Sequence, residues 1–116
     1  MTKIRLSKSS ISQAEKDVVL KVLDKEYLGM GEDVKHFEEK IKDYLKTSLD
    51  VVCVNTGTSA LHLALLCLDL KDGDEVLVPS LTYVASYQAI SATGAKPISC
   101  EIDQNTLFID IERSEE

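Results

Sequence analysis

A chain of 116 residues, 44% hydrophobic and 28% charged, has the composition of one small folded domain or a piece of a larger one. Its 13 basic and 20 acidic residues leave a net charge of −7 with no basic cluster, which argues against a nucleic-acid backbone as partner. The longest apolar run, Ala60 to Leu70, is interrupted by His62 and Asp69 and falls short of the roughly 20 residues a bilayer span needs, so no membrane is expected either. MTKIRLSKSS lacks the apolar segment and cleavage site of a signal peptide, and the cytoplasm is the expected location. Cys53, Cys67 and Cys100 are odd in number, widely spaced and set in apolar runs, which fits reduced, buried thiols better than disulfides or a metal site.

Taken in chain order, the first element is a helix. Ser12 and Glu15 have capping-box spacing, and Val18, Val19, Val22 and Leu23 then recur at helical intervals, so a helix is predicted over about Gln13 to Glu26. It stops at YLGMGED, where Gly29 and Gly31 break the pattern. A second amphipathic helix follows, with Asp33 as its expected cap and Val34, Phe37, Ile41, Tyr44 and Leu45 as its apolar stripe. Glu38, Glu39, Lys40 and Lys42 read as its solvated face.

From Asp50 the pattern changes. LDVVCV is short, apolar and rich in β-branched residues, as in a strand buried on both faces. Thr58 to Leu68 is apolar almost all round and is expected to be a buried helix. KDGDE is a turn, EVLVP a second strand ended by Pro79, Tyr83 to Ala92 a helix closed near Gly94, and PISCEI a third strand. This β-α-β-α-β order predicts an α/β fold with a mainly parallel sheet and flanking helices. After Asp103 one apolar group, Leu107 to Ile111, precedes an acidic run.

Ligands in such sheets gather where strands give way to helix N-termini. NTGTS and SLTYVAS both hold that position. The first amides of a helix have no intrahelical partner and face the positive end of its dipole, so Gly57, Thr58 and Ser59 could seat a phosphate. The segment has neither the GK[ST] ending of a P-loop nor GxGxxG. Read locally, it fits a plain capped turn as well as an anion seat. Tyr83 is equally open between stacking on a planar ligand and covering the sheet edge. His36 and His62 lack metal-site spacing, and His62 reads as a satisfied core residue or pocket lining. No lysine sits in a context that desolvates its amine.

In order and spacing, YLGMGEDVKHFEEKIKDYL, TGTSALHLAL, GDEVLVPSLTYVAS and GAKPISCEID resemble the opening of a pyridoxal-phosphate-dependent sugar aminotransferase of the DegT/DnrJ/StrS family. The likeness runs from about Leu6 to Ile111. It implies the N-terminal part of a fold-type-I aminotransferase large domain, incomplete, with residues 1–32 as an N-terminal helix and substrate-side loop and 33–116 as part of the cofactor-binding domain. It implies that Gly57 and Thr58, with Ser59, hold the phosphate of pyridoxal 5′-phosphate and that Tyr83 stacks on its ring. It also assigns Tyr27, where the family often has tryptophan, and Gly31 to the substrate entrance.

Such enzymes move an amino group, commonly from glutamate, to a nucleotide-linked keto sugar by a ping-pong route. They act as homodimers, in cell-surface polysaccharide or amino-sugar biosynthesis. The family's Schiff-base lysine motif, and the acidic residue that keeps the pyridine nitrogen protonated, are absent from these 116 residues, so no catalytic residue is assigned. The resemblance therefore implies a fragment inactive alone, cut from a longer or split reading frame, with sheet edges unpaired and the Ala60 to Leu68 helix partly uncovered. A sugar dehydratase on the same scaffold and a non-catalytic remnant are the alternatives.

Overall fold

The computed structural model describes residue 4 and residues 7–114. Leu6, where the resemblance begins, and the last two glutamates of the acidic run lie outside the described residues. The chain divides into two compact units, Met1–Val52 and Cys53–Glu116.

The first unit is helical. Helix α1, Gln13–Asp24, starts where the sequence predicts, because Ser12 and Glu15 form the complete capping box. The Ser12 hydroxyl accepts from the Ala14 amide at 3.2 Å, and the Glu15 carboxylate accepts from the Ser12 amide at 2.6 Å. The Ser12 hydroxyl also donates to the Glu15 carboxylate, and this bond, ahead of the one from the Ser12 amide, holds the Glu15 carboxyl below its ordinary pKa. Helix α2, Glu32–Leu45, is capped by Gly31 and not by Asp33. Asp33 lies inside the first turn, where its carboxylate meets Lys25 Nζ at 2.8 Å instead of a backbone amide. A left-handed Lys46 closes the helix, and Lys42 reaches Asp50 at 2.8 Å. Neither helix has a fully buried residue, so both apolar stripes are open along much of their length.

The second unit contains helix α3 (Gly57–Leu66), strand β1 (Glu75–Pro79), helix α4 (Ala85–Ser91) and strand β2 (Lys96–Cys100). The two strands pair in parallel, with Val78 opposite Ser99, and α4 packs on both. The predicted parallel α/β pattern is thus present in part, as a two-stranded sheet among the described residues. LDVVCV, expected to be a strand, forms none. Its β-branched residues favour extended chain, but a strand exists only where another segment completes its hydrogen-bond ladder.

Alternation along EVLVP explains where the core lies. Val78 is 3% exposed and packs with Ile90 of α4 and Ala95, with Leu65, Leu70, Val76 and Tyr87 around them. Leu77 points the other way and is 50% exposed, so the face of β1 away from α4 is the more open one. Gly94, at φ +91°, reverses the chain after α4 in a backbone conformation that L side chains resist.

Helix α3 is less buried than its apolar pattern predicts and is partly uncovered, as the resemblance implies. It packs on α4, yet Leu61, Leu63 and Leu66 are each close to half exposed. Of the cysteines, Cys100 is buried as expected, whereas Cys53 is half-buried and Cys67, at the end of α3, is exposed. Beyond β2, Ile102 and Ile109 form an antiparallel bridge around a turn closed by Asp103. The Asp103 carboxylate accepts from the Thr106 and Asn105 amides at 2.7 and 3.0 Å, and the Thr106 bond is the main reason its pKa is lowered.

Candidate functional site

The turn before α3 is both capped and open. Thr56 is the N-cap, and its hydroxyl oxygen accepts from the Ser59 amide at 3.0 Å. The Ala60 amide donates to the Thr56 carbonyl at 3.1 Å. Gly57 and Thr58 occupy the first two helical positions, so their amides have no carbonyl within the helix to reach. The two local readings of NTGTS, capped turn or anion seat, are therefore compatible: the cap uses the amide of Ser59 and leaves those of Gly57 and Thr58.

Space and charge at this point suit an anion. A side-chain carbon added at Gly57 would meet nothing within 4 Å. The ten residues of α3 aim the positive end of their dipole here, with no acidic residue in the first turn to oppose it.

The structure brings three of the four predicted cofactor residues to one groove. Gly57 and Thr58 line it from α3, and Tyr83 and Ser86 line it from the segment that opens α4. Ala60, Leu61, Ala64 and Ala85 complete its wall, around a volume of about 620 Å³. The small residues matter: alanines at positions 60, 64 and 85 let the groove open between two packed helices. Tyr83 is 78% exposed, which leaves its ring face available. The fourth residue, Ser59, is half-buried and outside the groove lining, with its hydroxyl donating to Asn55 Oδ1 at 2.9 Å.

Ser86 was not among the residues singled out from the sequence. A serine within an apolar helix carries no signal until the helix is placed against α3. His62 differs from expectation in another way, since its Nε2 is buried and has no hydrogen-bond partner. Of its two readings, the satisfied core residue is therefore the one the structure does not support.

The predicted substrate residues lie in the first unit. Tyr27 packs so closely over Gly31 that a β-carbon there would fall 2.5 Å from the ring's Cε1. The two residues line a groove of about 310 Å³ together with Lys25, Glu32 and Asp33.

A sequence profile described as the DegT/DnrJ/EryC1/StrS aminotransferase family matches residues 9–116. GDP-perosamine synthase of Caulobacter vibrioides is 34% identical over 116 residues, which are 99% of this chain and 31% of that protein. Among solved structures, the PLP form of the Streptococcus pneumoniae protein Spr1654, described as a sugar aminotransferase, superposes with a TM-score of 0.88. It is 34% identical, and the match covers 98% of this chain and 29% of that one. The E. coli GDP-4-keto-6-deoxy-D-mannose-3-dehydratase with bound hydrated PLP superposes at 0.85, with 32% identity over 97% of this chain and 30% of that one. The chain thus spans about a third of the length of the curated relative and of each solved structure.

Proposed function

Because the chain belongs to the DegT/DnrJ/EryC1/StrS aminotransferase family, we propose that its second unit supplies the phosphate and ring subsites for pyridoxal phosphate, the cofactor expected of that family. The enzyme so served transfers an amino group, from glutamate, to a nucleotide-linked keto sugar. One observation carries this reading: Gly57, Thr58 and Tyr83, distant in sequence, line one groove at a helix N-terminus. When bound, the cofactor supplies an electron sink that makes the amino group transferable.

Each residue has a distinct task. The Gly57 and Thr58 amides donate to phosphate oxygens, and the absence of a side chain at Gly57 lets the anion come close. Tyr83 would offer its exposed ring face for stacking on the cofactor's ring. Ser59 acts indirectly, by tying Thr56 and Asn55 into a cap that holds the first turn in shape. No lysine or carboxylate lines this groove, so these residues bind and orient and do not move protons. By itself the chain is inactive in transamination on this reading.

Tyr27 and Gly31, in the N-terminal helix and substrate-side loop of residues 1–32, take the sugar substrate. Support comes from the open groove they share, whose lining also holds Lys25 in an ion pair with Asp33. The assembly is a cytoplasmic homodimer acting in cell-surface polysaccharide or amino-sugar synthesis. A dehydratase is the second reading, favoured by the 0.85 superposition on the E. coli enzyme, and it uses the same cofactor groove.

The test is Gly57→Asp in an active protein that contains these residues. A carboxylate placed against the phosphate should abolish cofactor retention, read as loss of the cofactor's absorbance after desalting. Unchanged cofactor content in that variant refutes the phosphate assignment.

A further inference from the structure

Besides Thr58 of the phosphate turn, the groove is lined by a second hydroxyl residue, and it is not Ser59. Ser59 has a single hydroxyl proton, which goes to Asn55 Oδ1 at 2.9 Å. Thr56 Oγ1, 2.9 Å away, supplies the bond that Ser59 Oγ accepts. Its hydroxyl is fully used in the cap.

Ser86 stands differently. It lines the groove with Gly57, Thr58 and Tyr83, and its Oγ lies 3.0 Å from Thr82 Oγ1. Two hydroxyls joined by one hydrogen bond keep one proton between them for a third group. Thr82 is outside the groove lining, so with Thr82 donating, the proton left over is on the groove side, at Ser86. An anion in the groove can only accept, and it selects that direction. The Ser86 amide also donates to the Tyr83 carbonyl at 3.0 Å, so one turn of chain holds both the hydroxyl and the stacking ring.

We propose that Ser86 donates a hydrogen bond to an anionic oxygen of the cofactor in this groove and that Thr82 is the positioning residue that aims it. The proposal rests on the pyridoxal phosphate reading above. Its test therefore includes a control for that reading.

Pyridoxine 5′-phosphate is the probe, because it lacks the aldehyde and forms no adducts with surface lysines. It would be titrated calorimetrically into the full chain and into Ser86→Ala, Ser86→Thr, Thr82→Val and Gly57→Asp. A hydrogen bond to a charged acceptor is strong enough that Ser86→Ala should weaken binding about ten-fold or more. Ser86→Thr should retain affinity, Thr82→Val should lose less than Ser86→Ala, and the ligand-free melting temperatures should stay together. If Ser86→Ala binds like the unaltered chain while Gly57→Asp does not bind, the Ser86 role is refuted and the groove assignment stands. If the unaltered chain does not bind, or Gly57→Asp binds equally well, both fall.

Discussion

At the scale of single residues, the groove depends on what is small as much as on what is polar. Gly57 leaves open space in front of two amides, and Gly31 lets an aromatic ring lie on the backbone. These glycines fail differently when replaced. Gly31→Ala puts a methyl group inside the Tyr27 ring, which is exposed and able to swing away, so the clash is relieved by moving the ring and not by unfolding. The expected cost is about 1 kcal/mol, the difference between a glycine and an alanine cap at the start of α2. The nuclear Overhauser contact between the Tyr27 ring and residue 31 should vanish while the helical signals of α2 persist. A retained contact would show that the close approach is not what Gly31 is for. Sequence alone could single out Gly57, Thr58 and Tyr83 as candidates because each sits in a phrase whose order is informative, and the structure places the three on one groove. Ser86 was not legible, since its part depends on which helix α4 packs against.

At the scale of elements, what could be read from the sequence was what local chemistry decides. The Ser12 to Glu15 spacing placed the start of α1, and the apolar run between the KDGDE turn and Pro79 placed β1. The cap of α2 was misplaced by two residues because Asp33 has a lysine within reach, and an ion pair competes with capping. LDVVCV could not be settled locally, because a strand is a property of two segments and not of one. The capping box gives a direct test of α1. Ser12→Ala should cost about 1 kcal/mol of helix stability, read as a loss of far-ultraviolet helical signal. The same box sets a pH response. Glu15 has a lowered folded pKa, so its contribution is complete above its ordinary value of 4.5 and is lost as the pH falls through the lower folded value. Glu15→Gln should remove that acid-side loss. An unaltered acid titration in Glu15→Gln would contradict the capping role.

At the scale of the whole molecule, the apolar surface is the dominant fact. The face of β1 that carries Leu77, the α3 leucines and the stripes of α1 and α2 are exposed, far beyond the scattered apolar residues of an ordinary surface. The chain matches 31% of the length of the curated relative. The groove at the α3 N-terminus has both of its walls within Cys53–Glu116. The account's central claim is that Gly57 and Thr58 offer their amides to a phosphate beside Tyr83. The most direct measurement is a two-dimensional amide NMR titration of the chain with pyridoxine 5′-phosphate. The account predicts that the Gly57 and Thr58 amide resonances move downfield together and saturate, with Tyr83 ring signals shifting at the same ligand concentration. Saturable binding that leaves those two amides unmoved, or no binding at all, would contradict it.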